Sequence, residues 1–100
     1  MILPDFIADR IPGARTVVQA DFMHEGKSVV TVRAGTQVSL DQQLSEASRV
    51  LFFENHPGGT VRYKAERRIV LPFFGDKILY VRDLGANPEG YESAVNALPE

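Results

Sequence analysis

The chain contains no cysteine. That excludes a disulfide framework, a thiolate metal site and a cysteine nucleophile. Small secreted domains more often carry disulfides, so the expected setting is the reducing cytoplasm, or a virion for a viral structural protein. Long apolar runs are missing too. Runs such as Val50-Leu51-Phe52-Phe53 and Ile69-Val70-Leu71 are strand-sized, far short of the ~20 residues of a membrane-spanning helix. The opening Met1-Ile2-Leu3-Pro4-Asp5-Phe6-Ile7 is apolar but brief, without the basic start of a signal peptide. Neither sign of charge dominates, since 11 Lys and Arg face 13 Asp and Glu for a formal net charge of -2. A disordered acidic chain and a histone-like basic one are both excluded. Repeats, low-complexity tracts and linkers rich in Gly, Ser or Pro are absent. So are the nucleophile elbow, the P-loop and the dinucleotide-binding glycine pattern. Gly58-Gly59 has neither the lysine nor the following helix of a phosphate loop. No catalysis, cofactor or metal is expected.

What is present is a chain of 100 residues, 44% hydrophobic, enough for one domain with one core. Residues 1–13 read as an apolar arm broken by Pro4, Pro12 and Gly13, and residues 14–100 as a single domain. Val18, Ala20 and Phe22 alternate with Val17, Gln19 and Asp21, which predicts a strand over 15–23. His24-Glu25-Gly26-Lys27 is turn-like, and Ser28–Arg33 supplies the return strand of a hairpin. Ser39-Leu40-Asp41-Gln42 matches a capping box. Leu40, Leu44, Ala47 and Leu51 then predict a helix over about 40–51. Val50–Phe53 is β-prone, so a strand over 49–54 is the competing reading. A long β stretch follows from Thr60 to Phe73. Val61, Tyr63 and Ala65 share one face and Arg62, Lys64, Glu66 and Arg68 the other, with a bulge near Glu66–Arg68. Phe74-Gly75-Asp76-Lys77 is read as a turn and Ile78–Arg82 as the strand that closes a second hairpin. Leu84-Gly85-Ala86 is expected to leave the sheet. Asn87-Pro88-Glu89 begins a closing helix whose apolar face is Tyr91, Ala94, Val95 and Leu98. The pattern predicts an α+β fold: an antiparallel sheet of two hairpins with a central and a C-terminal helix. If residues 49–54 are a strand, an all-β sandwich or barrel results.

Five features bear on function. His56-Pro57-Gly58-Gly59, preceded by Phe52-Phe53-Glu54-Asn55, resembles the haem-binding signature of the cytochrome b-five family. The resemblance spans about eight residues and implies His56 as an axial iron ligand. The family's second axial histidine lies C-terminal to the first, whereas no histidine follows His56 here. A Pro-Gly turn accounts for the same residues. Second, Arg62, Lys64 and Arg68 on one strand face are candidate phosphate contacts for a nucleic acid. A solvated sheet face is the plainer account. Third, the residues from Asp83 onward carry Asp83, Glu89, Glu92 and Glu100 and no basic residue, which suits a helix N-terminus and solubility. Fourth, His24 sits near Asp21 and Glu25, at a spacing that matches no compact metal motif. Fifth, the arm carries six large apolar residues in its first eleven positions. In a strand, adjacent residues face opposite ways. One Phe of each pair, Phe52-Phe53 and Phe73-Phe74, should therefore enter the core while the other needs cover.

The last feature carries most weight. It predicts a non-catalytic protein-interaction or assembly module that binds copies of itself. Ile2, Leu3, Phe6, Ile7, Phe53 and Phe74 are its expected contact residues. Small size and the lack of motifs suit a small virion component or a virus- or plasmid-encoded accessory protein. Nucleic-acid binding is the alternative, haem binding the third reading, and a membrane is not an expected partner.

Overall fold

Residues 4–8 and 10–100 are described by the computed structural model. Two hairpins form where the alternation predicts them. β1 (Arg15–His24) and β2 (Lys27–Ala34) are joined by Glu25-Gly26. Both loop residues have positive φ, 54° and 77°. That is what a type I′ turn requires, and it matches the twist of the flanking strands. β3 (Thr60–Leu71) and β4 (Gly75–Ala86) form the second hairpin. β1 and β3 pair antiparallel, with Arg15 opposite Arg68 and Met23 opposite Thr60. The result is one open sheet in the order β2-β1-β3-β4. The fold is α+β, and the all-β sandwich or barrel does not form.

The sheet buries one face. Val18, Ala20 and Phe22 of β1 and Val61, Tyr63 and Ala65 of β3 share it with Ala34 of β2. The expected bulge lies between Arg67 and Arg68. Over this face lie α2 (Gln37–Gln43), α3 (Glu46–Asn55) and α4 (Glu89–Ala97). They contribute Leu40, Leu44, Phe52, Ala94 and Leu98 to the core. A smaller cluster joins Leu79 and Tyr80 of β4 to Ile11, Ala14 and Ile69. No helix among the described residues is long and apolar enough to cross a membrane.

Four local expectations need correction. The single helix over 40–51 is two helices. Thr36, not Ser39, caps α2, its Oγ1 accepting the Ser39 N–H at 3.1 Å. Ser45 then caps α3 by accepting the Ser48 N–H at 3.3 Å. This second cap restarts the helix at a new rotation. Leu40 and Leu44 point inward, but Leu51 points out and Phe52 takes its place. Residues 49–54 are helical because that cap and the burial of Phe52 outweigh β propensity. Next, the second turn is Pro72-Phe73-Phe74, not Phe74–Lys77. Pro72 has no N–H with which to continue the ladder. Finally, Leu84-Gly85-Ala86 stays in the sheet, since β4 pairs with β3 from Leu71 opposite Gly75 to Arg62 opposite Ala86. The closing helix starts one residue later than Asn87-Pro88 suggests, with Pro88 as its cap.

Asn87 instead takes the Tyr63 hydroxyl as a donor to its Oδ1. Tyr63 is only 2% exposed. Burial pushes its pKa up to about 12, while the nearby Arg49 charge pulls against that rise. An unfolded tyrosine titrates near ~10. The neutral form is therefore favoured by folding. Its contribution is complete below pH ~10 and is lost as pH rises through the folded value, for a total of roughly 3 kcal/mol. Urea unfolding at several pH values above ~9 should show this loss in the wild type and much less of it in Tyr63→Phe. Parallel pH slopes for the two proteins would refute it.

Candidate functional site

β1 ends its pairing with β3 at Arg15 opposite Arg68. Beyond that point Ile69–Leu71 and Gly75–Lys77 continue as a two-stranded hairpin with no strand paired on the β1 side among the described residues. At ~3.3 Å per residue it projects roughly 15 Å past the sheet. Its loop carries Phe73, which is 105% exposed, and Phe74, 71% exposed. Phe73 has φ 68° and Gly75 φ 80°. Glycine occupies that left-handed region freely, whereas a side chain there costs roughly 1–2 kcal/mol. Both backbone and solvation thus disfavour an aromatic at Phe73. Val70, at 62% exposure, and Leu71 extend the same apolar tip. The expectation that one of Phe73 and Phe74 enters the core is wrong. They lie in a turn, so strand alternation does not govern them.

The hairpin is braced at its base on the open face of the sheet. Asp76 of β4 accepts from Arg15 of β1 at 2.8 Å and pairs with Arg68 of β3 at 3.4 Å. Arg68 also binds Glu66 at 2.7 Å, and Glu66 accepts from Arg33 of β2 at 2.8 Å. This chain of charges crosses all four strands. Glu66 is buried, so its two guanidinium partners meet a real desolvation cost. Partial desolvation alone would raise the Asp76 carboxyl. The hydrogen bond and charge of Arg15, then those of Arg68, outweigh it and hold the group below the usual carboxylate range.

The other expected contact residues are scattered. α1 (Asp5–Ala8) lies against β4. Phe6 and Ile7 on it are 70% and 43% exposed, whereas Ile11 folds onto Leu79 and Tyr80. Ile2 and Leu3 lie outside the described residues. Phe53 is 37% exposed while Phe52 is buried. That split was expected of this pair, although a helix and not a strand produces it.

The basic strand face is largely neutralised from within. Arg62 donates to Asp83 at 3.1 Å, and Arg68 is held by Glu66 and Asp76. The Gly85 N–H, then Arg62, hold Asp83 below the usual carboxylate range. Of the three candidate phosphate contacts, Lys64 alone forms no ion pair among the described residues. A phosphate would have to displace a carboxylate to reach the other two.

The two histidines meet at the opposite end of the sheet. His24, at the end of β1, and His56, capping α3, have ring centroids 5.2 Å apart. Their spacing in sequence carries no sign of this. His24 Nε2 is 3.2 Å from the Pro57 carbonyl and His56 Nδ1 is 3.1 Å from the Phe52 carbonyl. The His56 ring stacks on Phe52 at 4.7 Å. His56-Pro57-Gly58-Gly59 thus ends α3 and turns the chain into β3, and Gly59 lies close over the Phe52 ring. Asp21 points to the opposite sheet face from His24, where it accepts from Thr31 at 2.8 Å. Among the described residues, no three His, Asp or Glu side chains cluster as metal ligands.

Beside the histidines, β2 and α3 enclose an apolar groove of about 360 Å³, lined by Phe22, Val30, Val32, Leu51, Phe52 and His56. Sequence reasoning missed it, because its walls come from three separate elements. A larger, polar cleft of about 600 Å³ lies between α4 and the sheet. Arg82 covers the Tyr80 ring there at 5.1 Å. No protein-family model matches the chain, and no curated protein or solved structure matches it either.

Proposed function

We propose that this chain is a non-catalytic interaction module that assembles with copies of itself through the tip of the β3–β4 hairpin. The observation that carries this reading is Phe73. It is fully exposed, it sits in backbone that side chains avoid, and Phe74 stands beside it. Strain and exposed aromatic surface at one spot are costs that a contact surface accounts for. The brace through Asp76, Arg68 and Glu66 supports the same reading, since a rigid tip loses little freedom on binding. The exposed Phe6 and Ile7 on the neighbouring α1 would enlarge the surface.

Sedimentation over a range of concentrations tests it. The wild type should run above monomer mass and dissociate on dilution. Phe73→Ser/Phe74→Ser should stay monomeric and fully folded, because neither ring joins the core. Its association constant should fall on the order of 30-fold or more, as for a hot-spot pair. A wild type that is monomeric throughout, or a double variant as heavy as the wild type, overturns the reading.

A further inference from the structure

Two arginines stand on the sheet face that the helices cover. Residues directly opposite each other on paired strands share a face. Arg67 lies opposite Thr16 of β1 and Tyr80 of β4, and Arg82 lies opposite Ala65, whose β1 partner Val18 is fully buried. A guanidinium on that side loses solvation, which a partner has to offset. Arg67 is partly buried, donates from Nη1 to Thr16 Oγ1 at 3.0 Å, and forms no ion pair among the described residues. Its Nε is buried and has no hydrogen-bond partner. Buried donors are nearly always paired, so a cation with an orphaned one points to a group from outside the chain.

We infer that the cleft between α4 and the sheet binds the oxyanion group, phosphate or carboxylate, of a small organic ligand. Thr16 ties Arg67 to this cleft, because Thr16 lines it together with Tyr80 and Arg82. α4 adds Ser93 and Asn96 to the wall. Guanidinium, hydroxyl and amide groups thus border one space, and each can donate. Thr16 accepts from Arg67 and keeps its own hydroxyl proton for a ligand. Asp83, the one acid that lines the cleft, is already answered by Arg62 and by the Gly85 N–H. The fork of a guanidinium matches the paired oxygens of a phosphate or carboxylate. At about 600 Å³ the cleft holds more than a bare ion, so the anionic group is carried on a larger molecule, with the Tyr80 ring under Arg82 as an aromatic wall. Arg49 is the instructive contrast. Its Nε is also buried and unpartnered, but the cleft it lines is shared with Glu46 and Glu54, which repel an anion. The α4 cleft is separate from the hairpin tip and stands whether or not the chain self-assembles.

Titration of the full chain with inorganic phosphate and, separately, with acetate tests this, with chloride at matched ionic strength as the baseline. An anion that binds only the folded state raises the urea midpoint. At least one probe should do so saturably and shift the Arg67 Nε–H signal in nuclear magnetic resonance spectra. Phosphate acting alone assigns a phosphate ligand, acetate acting alone a carboxylate, and both together the shared oxyanion chemistry. Arg67→Gln removes the charge, and Asn96→Asp sets an opposing charge at an exposed position of α4. Each should weaken binding roughly 10-fold or more, as expected for a charge-assisted hydrogen bond. Lys64→Gln removes a positive charge from the other face of the sheet and should bind as the wild type does. Circular dichroism checks that the variants fold, and if Arg67→Gln does not, Asn96→Asp carries the comparison. Neither probe exceeding chloride overturns the inference. So does wild-type binding in Arg67→Gln and Asn96→Asp, or a loss in Lys64→Gln equal to theirs, which would mean that only the overall field attracts the anion.

Discussion

Phe52→Ala should destabilise the fold by about 3–5 kcal/mol, the range for a large aromatic removed from a core. Phe52 is the one buried residue of α3. Its ring meets Phe22 edge-on at 4.9 Å and stacks on His56 at 4.7 Å. Gly59 packs so closely that a methyl there would come 2.7 Å from the Phe52 ring. No other α3 side chain replaces this anchor, since Val50, Leu51 and Phe53 face outward. The cavity is therefore left at the one buried side chain of the helix among the described residues. Urea unfolding below the association concentration should show a large drop in midpoint. Leu51→Ala, one position away, should change it by well under ~1 kcal/mol. Equal effects for the two would mean that α3 is not seated through Phe52.

Gly90→Ala should be the second most damaging change, costing roughly 2–3 kcal/mol. Gly90 is in the first turn of α4. On propensity alone, alanine in a helix should stabilise by up to ~1 kcal/mol. Here the added methyl would lie 2.4 Å from the Gly85 carbonyl oxygen and 2.7 Å from the Tyr63 ring. The obstacle is backbone on one side and the most deeply buried large ring on the other, so neither can move aside cheaply. α4 would have to lift off β4. That would strain the Tyr91 hydroxyl bond to Asp41 and the Gln37 bonds to the Val95 and Leu98 carbonyls, which tie α4 to α2. Gly35→Ala is the matched control, because nothing lies within 4 Å of its added methyl. The sign decides the test: stabilisation by Gly90→Ala would mean that α4 does not rest on β4 as described.

Much of the fold was legible one residue at a time. Period-two alternation placed Val18, Ala20 and Phe22 on the face they occupy, and likewise Val61, Tyr63 and Ala65. The bulge expected near Glu66–Arg68 lies between Arg67 and Arg68. The helix stripe misled because Leu40, Leu44, Ala47 and Leu51 look continuous. Thr36 and Ser45 cut the segment in two, and the competing hydroxyl at Ser39 drew attention from both. The Phe73-Phe74 pair misled for a related reason. Alternation holds only inside a strand, and Pro72 had already ended it.

The candidate site was legible in part. Phe74 and Phe53 were expected to need cover, and both are exposed. The arm was expected to act as one unit, yet Ile11 packs on the chain's own Leu79 and Tyr80 while Phe6 and Ile7 stay exposed. Arg62 and Arg68 looked like a free basic face. Their partners Asp83 and Asp76 come from β4, and pairing across strands cannot be read along one of them.

By itself the sequence determined the two hairpins, the buried sheet face and the lack of the common catalytic and nucleotide-binding motifs, and it favoured α+β while leaving residues 49–54 open between helix and strand. These follow from local rules: alternation, turn chemistry and residue type act over a few positions. Tertiary structure alone decided the strand order, the meeting of His24 with His56, the brace from Arg33 to Asp76, and the groove at the far end from the Phe73 tip. Each of these joins residues tens of positions apart, through a register that the whole sheet sets at once.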